Sequence, residues 1–173
     1  GNADEAERRL KLAVSERQQL FKEKRKTGRL SALSRSQLRL GDFYMVAKKD
    51  PTLAWSQYQS ALSGYKKLLQ HNQDSVSTRE GLANVEYRIG GLLLHAKAVG
   101  VGLEDVPGGD DPNTHFEISC QLRKQLAAID PEDMQAKIEW AVALARCGRA
   151  VEAEELANEL ATKGKGNPRL LFQ

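Results

Sequence analysis

Four times along this chain an acidic or amide side chain stands directly before a proline: Asp50-Pro51, Asp111-Pro112, Asp130-Pro131 and Asn167-Pro168. Proline has no amide hydrogen and a φ already close to helical, so it fits the first helical turn, where amides lack partners anyway. The side chain before it can accept a hydrogen bond from one of those orphan amides. Each pair therefore reads as a helix start, with Asn167-Pro168 a weaker version. At Asp130-Pro131-Glu132-Asp133 two further acids follow, where the helix macrodipole favours negative charge. Between these marks no stretch alternates with a strand's period of two. The pattern predicts an all-α chain with helices over Asp4–Lys26, Ala32–Ala47, Thr52–His71, Ser77–Val99, Asn113–Ile129, Pro131–Arg146 and Ala150–Thr162.

Composition narrows the partners. The 173 residues are 40% hydrophobic and 28% charged, which suits a folded domain or a short array of repeats rather than a disordered chain. A net charge of +3 gives no broad attraction to nucleic acid or membrane. No apolar run approaches the roughly 20 residues that span a bilayer, and nothing at the start reads as a signal peptide. The opening Gly1-Asn2-Ala3 and the closing Asn167-Pro168-Arg169-Leu170-Leu171, which reads as the start of a further helix, suggest a segment of a larger protein. Nothing names a compartment, and the cytoplasm is the default expectation. Cys120 and Cys147, far apart in sequence, are expected as buried free thiols. With His71, His95 and His115 scattered, they give no metal-ligand spacing.

A repeated pattern underlies the helices. "LRLGDFYMVAKKD" from Leu38 and "YRIGGLLLHAKAVG" from Tyr87 share an Arg-apolar-Gly core that places Gly41 and Gly90 in mid-helix, where a missing side chain lets a second helix approach. "ARCGRAVEA" from Ala145 is similar but differs in phase, because Gly148 falls at a bend, where it can turn left-handed and end a helix. With that phase set apart, Met134 to Asn167 resembles a tetratricopeptide repeat, the helix-turn-helix unit of roughly 34 residues. Trp140 and Ala141 stand at its bulky-then-small pair, Leu144 at its large packing position, Gly148 at its turn and Ala153 at its small contact. Leu40, Gly41, Tyr44, Ala54, Tyr58 and Ala61 follow the same order with one extra residue near Asp50. Ile89 and Gly90 begin another copy that Phe116 resumes after an insertion. Lys137 and Ala157 depart from the family pattern. A narrower likeness is to long-period arrays in bacterial multidomain proteins such as serine/threonine kinases.

The resemblance implies a right-handed superhelical stack of about three such units, over about 31–75, 76–130 and 131–167, within a repeat domain 31–173. Residues 1–30 would form an N-terminal packing helix, since Ala6, Leu10, Ala13, Val14 and Phe21 make one apolar stripe. The first helix of each unit would line a concave groove. By resemblance the groove carries Arg35, Leu38, Arg39, Asp42 and Met45, then Asn84, Tyr87, Arg88, Gly91 and His95, then Gln135, Ile138, Glu139, Val142 and Arg146. Arginine and tyrosine are favoured anchors at interfaces, so the expected function is non-catalytic protein–protein interaction, as scaffold or adaptor. The expected partner is a protein or peptide with acidic and apolar groups. The family's clamp for acidic chaperone tails is disfavoured, because Leu38, Asp42, Arg88, Gln135 and Glu139 occupy its positions.

Other chemistry is not signalled. "GVGLEDVPGGDD", Gly100 to Asp111, has neither the Gly-Lys-Ser/Thr ending of a phosphate loop nor calcium-ligand spacing, and reads as a flexible insertion. Ser31, Ser34 and Ser36 read as helix caps, no nucleophile elbow surrounds any serine, and His95 reads as a packed or groove-facing side chain. No enzyme activity, cofactor or metal is expected. The basic run "KEKRKTGR", Lys22 to Arg29, reads as a solvated helix C-terminus. With Arg35, Arg39 and Arg88 it supports the alternative of a nucleic-acid-binding helical repeat, which the acidic third unit opposes.

Overall fold

A computed structural model describes residues 1–100 and 111–165, with side chains described through residue 163. The insertion at residues 101–110 and the Asn167-Pro168 helix start lie outside the described residues. Among the described residues, seven α-helices make up the fold: α1 (Asn2–Glu23), α2 (Thr27–Phe43), α3 (Pro51–His71), α4 (Val76–Val99), α5 (Pro112–Ile129), α6 (Met134–Arg146) and α7 (Ala150–Lys165). Among the described residues there is no strand, and no helix is long and apolar enough to cross a membrane.

Two of the Asp-Pro marks open helices as expected. Asp50 accepts the Leu53 amide at 2.9 Å ahead of α3, and Asp111 accepts the Asn113 amide at 3.2 Å ahead of α5. Asp130-Pro131 does not. Residues 131–132 form a turn closed by the Asp130 carboxylate on the Glu132 amide, and the cap of α6 is Asp133, which accepts the Ala136 amide at 3.0 Å. Both aspartates have the same capping chemistry, and the later one starts the helix. A second correction concerns the start of α2, which begins at Thr27 rather than Ala32. Ser34 and Ser36 consequently lie inside it, buried, and donate to the carbonyls of Leu30 and Ala32 four residues back instead of capping. The basic run is divided between the end of α1, a short link and the first turn of α2, and Arg29 reaches back to the Leu20 carbonyl near the end of α1.

After Phe43 the chain runs through a π-helical turn, Tyr44–Lys48, and leaves it through Lys49 at φ 53°. A π turn takes up one residue more than an α turn.

Helices pack in chain order: α1 on α2, α2 on α3, α3 on α4, and so on to α7, with α2 also touching α4. The short link of residues 72–75 between α3 and α4, and the bend at Gly148 between α6 and α7, turn the chain back on itself. Gly148 holds φ 79°, a left-handed conformation that glycine adopts freely. The main core joins α2, α3 and α4 through Leu40, Tyr44, Trp55, Tyr58, Leu62, Tyr65, Leu82, Ile89 and Leu92. Leu10 and Val14 of α1 pack against its edge, and Arg17 of α1 hydrogen-bonds Ser36. A smaller core at α5–α7 gathers Cys120, Ala143, Leu144 and Ala153, with Trp140, Cys147 and Leu156 around it. Gly41 and Gly90 occupy matching crossings. A Cβ at Gly41 would fall on the ring of Tyr58 in α3, and one at Gly90 would come within 2.9 Å of the ring of Phe116 in α5.

Candidate functional site

The expected groove residues of α2 and α4 meet in one open pocket of about 460 Å3, lined by Arg35, Leu38, Arg39, Asp42, Asn84 and Arg88 together with Tyr65, Ser77, Glu80 and Gly81. Spacing explains the grouping. Positions 35, 38, 39 and 42 lie on one helical face, as do 84 and 88, and that face stays outward while Leu40 and Ile89 turn into the core. A second pocket of about 430 Å3 continues toward the π turn, lined by Asp42, Met45, Val46, Tyr58, Tyr87, Arg88, Gly91 and Leu92. A third, of about 220 Å3, lies between α4 and α6, where Asn84 meets Gln135 and Glu139. Asn84 lines the first and third pockets, which joins α2, α4 and α6 along one surface.

The charged groups on this surface differ in how tightly they are held. Asp42 accepts both the Arg88 Nε and the Tyr58 hydroxyl at 2.8 Å, tying α2 to α4 and α3 together. Burial, and then the negative charge of Asp42, push the Tyr58 hydroxyl far above its usual pKa, so it stays a donor to that carboxylate. Asp42 and Arg88 thus hold helices together across this surface. Arg35 and Arg39, by contrast, are exposed and make no ion pair among the described residues. Tyr65 lines the same pocket. Burial pushes its hydroxyl up, and the charges of Arg35 and Arg39 pull it partly back.

Tyr87 is a junction rather than a free anchor. Its ring meets Phe116 edge-on at 5.8 Å, and the guanidinium groups of Arg88 and Arg146 both stand 5.9 Å from its centroid. Arg146 also donates from Nε to the Tyr87 hydroxyl at 3.2 Å, so α6 is fastened to α4 through a pair 59 residues apart. Ile138 and Val142, one turn apart on α6, are 45% and 50% exposed and form an apolar strip. His95 is exposed on α4 but lies outside these three pockets.

One residue of this surface escaped the sequence reading. Arg123, on α5, is buried and donates from Nη2 to Asn84 at 2.8 Å while pairing through Nη1 with Glu139. It anchors α4 to α6 from beneath the third pocket. An arginine between apolar positions in α5 gives no local sign of partners 39 residues before it and 16 after it. Beneath α4, Glu86 is almost wholly buried, accepts from His115 Nδ1 at 2.6 Å and lies 3.9 Å from Lys66 Nζ. Among the described residues no group of three histidine, cysteine, aspartate or glutamate side chains is placed to hold a metal ion. No protein family, curated protein or solved structure matches this chain.

Proposed function

We propose that the α2–α4–α6 surface is a docking face for a protein segment that carries acidic and apolar groups, and that the chain is a non-catalytic scaffold or adaptor module. The observation that carries the reading is the state of Arg35 and Arg39: two exposed guanidinium groups lining the largest of the three pockets, with no ion-pair partner among the described residues. Desolvated arginine meets a carboxylate in bidentate geometry, and a planar cation beside buried tyrosines is a frequent interface anchor. The exposed Ile138–Val142 strip would receive the partner's apolar side chains. The fold is read as a right-handed stack of three tetratricopeptide-like pairs, α2–α3, α4–α5 and α6–α7, behind the packing helix α1. Chain-order packing and the matched crossings at Gly41 and Gly90 support that reading.

The test is selection of peptides from a random display library against the whole chain. Selected peptides should be rich in acidic residues spaced from apolar ones, and Arg35→Ala with Arg39→Ala should weaken them at least about tenfold, the scale of one lost charged hydrogen-bonded contact. Binders indifferent to both arginines would move the site elsewhere. Binding of RNA or DNA that falls steeply with salt would replace the reading with a nucleic-acid interface.

A further inference from the structure

Cys120 and Cys147 are separated by the whole of α6, yet they meet at the junction of α5, α6 and α7. Cys120 is a member of the small core and Cys147 packs against that same core, where its Sγ donates to the Leu144 carbonyl at 3.4 Å. Their exposures differ. Cys120 is buried, whereas Cys147, at the C-terminal cap of α6, is only partly buried. Arg149, held by Glu152 through Nε at 2.6 Å, is the cation beside the pair, and its charge acts on both sulfurs. Burial pushes the Cys120 thiol up to about 11, with Arg149 opposing part of the rise. The two thiols therefore divide roles, one reachable from solvent and one sheltered behind it.

We propose that Cys120 and Cys147 are a thiol pair that a peroxide converts reversibly into an intramolecular disulfide. Cys147, as thiolate, attacks one peroxide oxygen: an S–O bond forms, the O–O bond breaks, and the departing oxygen leaves as water after taking a proton. The Cys147 sulfenic acid then meets Cys120. The S–S bond forms, the S–O bond breaks, and a second water leaves with the Cys120 proton. Two thiols and one hydrogen peroxide thus yield one disulfide and two waters, the sulfur pair giving up two electrons to the peroxide.

The bond would fasten the cap of α6 to α5. Cys147 directly follows Arg146, the residue that reaches Tyr87, so oxidation would also restrain the α6 edge of the docking face. This inference does not depend on what that face binds.

The experiment treats the full reduced chain with one equivalent of hydrogen peroxide, then blocks remaining thiols with a maleimide and measures intact mass and thermal midpoint. The expected result is a monomer lacking two hydrogens, with no maleimide added, a raised thermal midpoint, and full reversal by dithiothreitol. In Cys120→Ser the same treatment should leave Cys147 as a sulfenic acid that dimedone traps. Overturning results are two maleimides on the treated wild-type chain, accumulation of unresolved sulfenic acid in the wild type, or disulfides only between chains.

Discussion

At the scale of single residues, the surface separates side chains that look alike in sequence. Arg35, Arg39 and Arg88, which the resemblance placed together, are all exposed on their helices. The resemblance could not show that Arg88 and Asp42 hold each other across 46 residues, or that Tyr58 shares the same carboxylate oxygen. The consequence is measurable. Asp42→Ala strands the Tyr58 hydroxyl without its acceptor and should cost about 1–3 kcal/mol in urea denaturation. Arg35→Ala and Arg39→Ala should each stay within about 0.5 kcal/mol of the parent, since both are exposed and neither makes an ion pair among the described residues. Arg123→Ala should resemble Asp42→Ala, at about 2 kcal/mol, because Glu139 and Asn84 lose a buried donor. An Arg123 variant as stable as the parent would remove it as the link between α4 and α6. Tyr87, which the resemblance placed in the groove, is packed on Phe116, so its removal would change stability as well as any binding.

Among the elements, the legible features were those with a local cause. Asp50, Asp111, Gly148 and the mid-helix glycines announced themselves because caps, left-handed bends and close crossings need particular residue types. The start of α2 and the cap of α6 were misplaced where two neighbouring residues offered the same chemistry. The crossing glycines allow a direct check: Gly41→Leu should destabilise by about 1–3 kcal/mol in thermal or urea unfolding, because Tyr58 is locked in place by Asp42 and cannot yield to the added volume. The attachment of α1 responds to pH instead. Lys48, on the π turn, meets Asp4 and Glu7 of α1 at 2.9 Å from each. Hydrogen bonds from lysines hold both carboxyls below their ordinary values of 3.8 and 4.5, and Lys48 is raised to about 12. A lowered acid pKa contributes stability that is present above the ordinary value and lost as pH falls through the folded one. Amide exchange in α1 should therefore accelerate below about pH 4 relative to α3, with intrinsic rates corrected; an unchanged ratio would deny the lysine a role in docking α1.

Across the whole molecule, packing in chain order means that each helix depends chiefly on its neighbours, and the two cores are unequal. The α2–α4 core is built from large side chains, whereas the α5–α7 core is small and rich in alanine and cysteine. Burying a large apolar side chain contributes about 1.5–3 kcal/mol, so α6 and α7 should show the earliest sub-global opening in native-state hydrogen exchange and α3 the latest. The overall all-α organisation was legible because helix starts and small-residue crossings recur at a spacing; the surface that those helices share was only outlined, because its ion pairs link distant helices. The central claim is that this shared surface is the docking face. The most direct measurement is backbone NMR of the whole chain during titration with an acidic, apolar peptide from the display selection. The account predicts shift changes concentrated at Arg35, Leu38, Arg39, Asn84, Ile138 and Val142. Changes concentrated instead in the groove formed by Lys66, Leu69, Arg79 and Leu122 would contradict it.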